Sequence, residues 1–567
     1  MREKQGYPLA RAKKVLLILL LAAVMNLSWG VSPCSSSENL YEARLDEGLF
    51  NTEPYSYLLM TQAHQDTAMA MALIEKARRY SPDLPAVYFG LAGEGFTPSA
   101  NGVFQWFDYF REGMRAYGRN FWWEFSITGS IYASLLISFA LSLIVILAVR
   151  LPMEIGLILH DYSEERKRLA LLVLLVLLSM LGSIALIAGV FFLIGLYFRK
   201  ESKTIVYLSF LFLLLSPFLL REMTPFLSSP SYLKGIVAVN EGRDNRLALW
   251  ALKGRNDFAS SFSYALALKR EGDYQGAIEN FKGLAGRLPR PDPRVYINLG
   301  NAYYGLKDME AAKDSYLKSV GITPLPSAFY NLSQIYREML DFPKGDEYFL
   351  EAAKLNPEAV SRFAAISSGN PNRFVVDEPL PGSVIWDYAI GSGKGPLSGF
   401  QFLVPFVAVL LMAGFYSLDK KVRYRAQRCK RCGAVFCSRC SRIITWGEMC
   451  SRCFGSLVKI DEVDSRERIA RLLSIYQSQM KRRRRTKLVS CLVPGAGQIY
   501  SGKILSGFLF LWPFMFAVSL IVVNYSPLSG LSPFTHIWIT PLMVVCIILT
   551  YAGSVLHIRR RIHKGWL

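Results

Sequence analysis

Six apolar runs, at residues 126–149, 169–198, 204–221, 398–418, 505–524 and 535–557, are long enough, or nearly so, to cross a lipid bilayer. Inside a bilayer the backbone must satisfy its own hydrogen bonds, which leaves helices as the economical solution for such runs. The 567 residues are 52% hydrophobic and only 19% charged, too oily for a soluble protein. The chain therefore reads as mainly α: a multi-pass α-helical membrane protein with soluble inserts. Its net charge of +21 does not mark it as a nucleic-acid binder, because the excess is local. Residues 31–125 carry 7 basic and 12 acidic side chains, residues 222–397 carry 20 of each, and Lys420–Lys487 carries 20 against 5. A stretch that basic between apolar spans belongs on the cytoplasmic side.

Arg2, Lys4, Arg11, Lys13 and Lys14 precede the apolar run Val15–Met25, with small residues at Ser28 and Gly30. A basic head, a short apolar core and small residues describe a signal peptide over 1–30, cut after Gly30. Residues 31–125 then form an exported helical region, ending in an aromatic cluster (Phe104 to Trp123) ahead of the transmembrane region 126–221. If all six runs crossed once, the basic stretch would lie outside. The 30-residue run 169–198 is broken by Ser179-Met180-Leu181-Gly182-Ser183, and as one helix it would span about 45 Å. A re-entrant hairpin there restores the parity and exports residues 222–397. The short run 204–221, which contains Pro217, is the rival candidate for the run that does not cross.

Cys429, Cys432, Cys437, Cys440, Cys450 and Cys453 form three C-x2-C pairs within residues 420–460. Paired thiolates let a core-poor loop fold around a tetrahedral metal, so this segment is expected to be a zinc knuckle holding one structural Zn2+. Six cysteines without a nearby histidine cannot fill two unshared sites. The simplest set is Cys429, Cys432, Cys450 and Cys453; Cys437 and Cys440 can replace either pair. All-sulfur ligation argues against a catalytic metal, and the pattern resembles small treble-clef or ribbon knuckles. Zinc also requires reduced thiols, hence a cytosolic address.

A second pattern occupies residues 258–357. Tyr296-x2-Leu299-Gly300-x2-Tyr303 is followed by Ala312-x3-Tyr316 and Pro324. Ala265, Gly272-Asp273-Tyr274, Ala277-x3-Phe281 and Pro289 come before in the same frame. Leu332, Tyr336, Phe349, Ala352 and Pro357 come after, with Gly345 where alanine is usual. This resembles the tetratricopeptide repeat. The resemblance implies an α-solenoid over 222–367, with Ile236–Lys253 as a cap and residues 51–84 as a further degenerate unit. Such a solenoid implies a protein or peptide partner in its groove. Near-neutral charge without a Lys/Arg clamp argues against capture of a carboxylate. Residues 368–397, rich in Gly, Pro and Ser, are expected to be a linker to the helix 398–418.

From Asp464 to Met480 the residues Ile469, Leu472, Leu473, Tyr476 and Met480 share one helical face, and Lys481–Lys487 follow. This basic amphipathic helix, 461–487, suits anionic lipid. Val493-Pro494-Gly495-Ala496-Gly497-Gln498-Ile499-Tyr500-Ser501-Gly502 then resembles the entry of small two-helix bacterial membrane modules, here 488–567. Its glycines permit close backbone approach, and Gln498 and Tyr500 can hydrogen-bond at the helix interface. No catalytic constellation is visible, and Glu154 and Asp161 are expected to be solvated. The expected function is a non-enzymatic scaffold, integral to a bacterial inner membrane. The competing readings are a transporter or channel subunit and a zinc-dependent nucleic-acid binder.

Overall fold

The computed structural model describes residues 48–162, 165–227, 230–369, 375–392, 399–421, 426–429, 431–437, 449–451, 453–454, 465–525 and 538–563. The expected signal peptide lies outside them. The described residues are mainly helical, with one two-stranded antiparallel ribbon among them. The chain divides into two compact units: Met1–Pro82 with Ala238–Leu380, and Asp83–Val237 with Pro381–Leu567.

In the first unit, three helix pairs follow one another: Phe258–Arg270 with Tyr274–Arg287, Pro293–Gly305 with Met309–Ile322, and Pro326–Glu338 with Phe342–Leu355. The turn inside each pair has the same chemistry. Gly272, Lys307 and Leu340 take positive φ, and the next residue, Asp273, Asp308 or Asp341, caps the second helix by accepting from a backbone N–H three residues on. Ala277, Ala312 and Ala352 are fully buried where the second helix meets the first. Gly300 lies under the Tyr316 ring, where a Cβ would come within 2.5 Å of Cε1. Gly345 faces Arg337 just as closely, which explains glycine at that place in the third pair.

The degenerate unit is a further helix pair, Glu53–Gln65 and Ala70–Tyr80, tied by Ser56 Oγ donating to Ala77 O at 3.0 Å. It joins the solenoid's leading edge. Asn51 N donates to Gly242 O at 3.0 Å, and Glu53 pairs with Arg243 at 2.7 Å. The single capping segment expected at Ile236–Lys253 is instead two short helices, Ser231–Asn240 and Arg246–Leu252. Gly242 breaks them with φ 61°, where any Cβ would strike Phe50. After the third pair the chain does not run on in one helix; it breaks at Asn356 and restarts as Pro357–Gly369.

Among the described residues, the second unit has five helices long and apolar enough to cross a membrane: Phe121–Asp161, Lys200–Leu227, Gln401–Lys420, Ile504–Asn524 and Ile539–His563. The sixth apolar run is two shorter helices, Glu165–Met180 and Ser183–Gly195, separated at Gly182 with φ 112°. Leu178 and Leu175 close over Gly189, so the two fold back on each other as a hairpin. Helix Phe121–Asp161 has 41 residues, about 60 Å of rise against a hydrocarbon thickness of about 30 Å. Its Ser130, Ser134, Ser138 and Ser142 form a buried stripe spaced by four. Ser134 and Ser142 bond back to their own helix, and Ser138 accepts from Trp512 Nε1 at 3.2 Å. The stripe is a close-packing surface rather than a polar path.

Two carboxylates depart from expectation. Glu154 is buried and paired with Arg150 one helical turn earlier. Asp161 accepts the backbone N–H of Ala426 at 3.0 Å and the Tyr197 hydroxyl at 3.0 Å. Glu154 is shut away from solvent and Asp161 is half-buried, because the helix runs past its apolar stretch and carries them to where the chain beyond Lys421 packs.

Candidate metal centre and repeat groove

The ribbon pairs Gln427 with Phe436 and Arg428 with Val435. Its turn is a tight knuckle: Gly433 N donates to Cys429 O and Cys429 N to Ala434 O, both at 2.9 Å, with Gly433 at φ 80°. This places the Cys429 and Cys432 sulfurs on one side. Cys450 and Cys453 come from a second short turn closed by Phe454 N donating to Cys450 O at 3.0 Å. The four Sγ atoms all lie within 4.8 Å of one another. A tetrahedral S4 zinc site with bonds near 2.3 Å needs sulfurs about 3.8 Å apart. Cys432 and Cys450 are 3.7 Å apart. The donor set and its spacing therefore fit one tetrahedral thiophilic ion.

The surroundings support ligation. Burial alone would raise the Cys429 thiol, but backbone N–H groups of Cys450, Cys432 and Arg431 outweigh it and bring its pKa to about 7. Burial pushes the Cys432 and Cys453 thiols the other way. Of the six cysteines in the pattern, Cys437 is buried elsewhere, against Leu157 and Ala426, and Cys440 lies outside the described residues.

The basic helix is longer than its motif, Ser465–Leu492, and carries Lys481–Lys487 as helix. It meets the knuckle through Ile475, which packs on the cysteine cluster, and Ser478, which donates to Arg431 O at 3.1 Å. The expected apolar face does not make this contact: Ile469, Leu473, Tyr476 and Met480 are exposed. Asp461 and Asp464 lie outside the described residues. Arg428, exposed beside the ribbon, donates to Met153 O at 2.6 Å.

The glycine-rich motif makes the close backbone approach and the Gln498 bonds its residues imply, while no Tyr500 bond at the interface occurs among the described residues. Gly495, at φ 82°, puts its Cα where a methyl would lie 2.2 Å from Gly507 O. Gln498 is fully buried; its Nε2 donates to Ser554 O at 3.0 Å, while Gly495 N donates to Ser554 Oγ at 2.8 Å. These bonds stitch the short helix Ala496–Tyr500 to helix Ile539–His563.

A feature unmarked in the sequence reading lies in the solenoid's groove. Residues 375–380, within the stretch expected to be a linker, run extended along the first helices of the repeats. Asn331 grips Val376 at both ends, donating from Nδ2 to its carbonyl at 2.9 Å and accepting its N–H at 2.8 Å. Asn298 treats Glu378 the same way, at 2.7 and 3.2 Å. Asn301 adds a donor to Val376 O at 2.9 Å, and Asn240 accepts from Leu380 N at 2.7 Å. Asp377 pairs with Lys269 at 2.5 Å and Arg270 at 3.0 Å, all three buried or nearly so. This is a Lys/Arg clamp that overall charge balance concealed. Val375, Val376 and Leu380 are buried too. A detectable signal existed: Asn298 and Asn331 occupy equivalent repeat positions 33 residues apart, and a buried amide at such a place must have a partner. The rest of the expected linker includes helix Gly382–Ser392.

No curated protein matches the chain. Residues 293–324 and 326–358, the second and third helix pairs, match the family model described as the tetratricopeptide repeat, and these two pairs are on that ground tetratricopeptide repeats.

Proposed function

We propose that this chain is a non-enzymatic scaffold integral to a membrane, joining an exported tetratricopeptide-repeat unit to a cytoplasmic zinc knuckle. The observation that carries the reading is the repeat unit itself, since stacked helix pairs present a large surface suited to protein recognition. The topology supports it. With residues 48–82 and 238–380 in one unit, both belong on one side of the membrane. Three crossings and one returning hairpin then bring the reduced, basic cysteine segment to the other. Cys429, Cys432, Cys450 and Cys453 would hold Zn2+, which supplies folding free energy to a segment with little core of its own.

The exposed Ile469, Leu473, Tyr476 and Met480, continuing into Lys481–Lys487, suit a helix lying on an anionic lipid surface. The transporter reading is less favoured because the serine stripe is closed by packing. Reporter fusions after residues 240 and 460 test the arrangement: opposite sides are expected, and the same side overturns it. Photo-crosslinkers on the exposed second helices of the repeats, at Glu279 and Lys318, test the scaffold role. Specific adducts with one protein are expected in cells, and none at any position would contradict it.

A further inference from the structure

The segment 375–380 sits in the groove as a ligand sits in a receptor. It has no helix or strand of its own, and its backbone groups at Val376, Glu378 and Leu380 are taken by asparagine side chains. A carboxamide that both donates and accepts reads an extended backbone whatever its side chains, as a strand edge does. Selectivity is added at two points: the Lys269/Arg270 clamp on Asp377, and the apolar contacts of Val375 and Val376 with the repeat cores. Apolar packing alone would suffice for a structural tie. The polar receptor is additional.

We propose that the concave groove is a site for an extended peptide bearing an aspartate between apolar residues, filled in cis by 375–380, and that a protein partner with a segment of this chemistry engages by exchanging with it. This rests on the scaffold reading and names the chemistry of its partner. A tethered ligand acts at an effective concentration of order millimolar, so a free peptide binds the resting chain weakly and binds tightly once the strap is loosened. Because helices of the repeats pack through their own alanines, glycines and rings, the strap can leave without unmaking them.

The test uses the full chain in detergent and a fluorescent peptide, FVVDEPLP, copied from residues 374–381. Asp377→Asn in the chain should tighten peptide binding at least tenfold, and the same change in the peptide should abolish it. Independently of any variant, excess unlabelled peptide added to the unsubstituted chain should strip hydrogen-exchange protection from the amides of Val376, Glu378 and Leu380 while helix amides keep theirs. Absence of peptide binding to either form, or binding that leaves those amides protected, overturns the proposal. Crosslinked adducts on the second helices would then still stand, separating this failure from failure of the scaffold reading. Should Asp377→Asn not fold, the exchange measurement alone decides in the same two directions.

Discussion

Asn301 is the hub of the groove, and its removal has a calculable signature. Its side chain donates to Val376 O and to Asp377 Oδ1, and accepts from the Tyr316 hydroxyl at 2.7 Å and from Asn331 Nδ2 at 2.9 Å. Asn301→Ala removes all four bonds, but the partners suffer unequally. Val376 O and Asn331 Nδ2 keep each other, and Asp377 keeps its two cations. Tyr316, fully buried, loses the acceptor its hydroxyl uses. An orphaned buried hydroxyl costs about 1–3 kcal/mol, and the weakened bonds add about 1 kcal/mol, so Asn301→Ala should destabilise the unit by about 3 kcal/mol. Tyr316→Phe alone removes one neutral bond, about 1 kcal/mol. In the double variant no hydroxyl is orphaned, so the pair should cost about 2 kcal/mol rather than the additive 4, a coupling of about 2 kcal/mol. Urea unfolding of the full chain in detergent, read by pulse proteolysis within 258–355, measures this cycle. Additivity to within about 0.5 kcal/mol would refute the hub reasoning.

Gly495→Ala forces a side chain into left-handed backbone and against Gly507 O; a loss of about 2–4 kcal/mol is expected, read as a lowered melting midpoint in detergent. Leu340 holds φ 62° while largely exposed, so Leu340→Gly should stabilise the repeat unit by about 0.5–1 kcal/mol in the same urea assay. Burial lifts the Glu378 carboxyl above the ordinary glutamate range, and the Ser327 hydrogen bond only partly opposes it. A raised carboxyl binds more protons folded than unfolded, so its contribution to stability falls as pH rises from the ordinary to the raised value. Glu378→Gln should therefore gain stability over the parent at pH 7 and lose that advantage near pH 4, in paired denaturation curves.

The parts of this molecule governed by short-range rules were readable before its structure. The helix pairs followed from the frame of Ala277, Ala312 and Gly345 and from the closing Pro289, Pro324 and Pro357, because close helix contact and helix termination are local requirements. The break near Gly182 followed from length, and the pairing of two C-x2-C motifs from ligand chemistry. What stayed hidden depends on chain segments that meet at long range. Nothing local to VVDEPL distinguishes a groove ligand from a linker; that requires Asn240, Asn298 and Asn331, up to 140 residues away. Glu154 reads as solvated beside an apolar run until its Arg150 partner and the packed chain around it are seen. The helix 465–492 shows the converse: its apolar periodicity is plain, yet Ile475, off that face, is the residue that meets the knuckle.

The most direct test of the account is metal analysis of the full chain purified under reducing conditions. One zinc per chain is predicted, retained in Cys437→Ser and lost in Cys432→Ser. A chain without metal, or one in which Cys429, Cys432, Cys450 and Cys453 are joined as disulfides in cells, would contradict it.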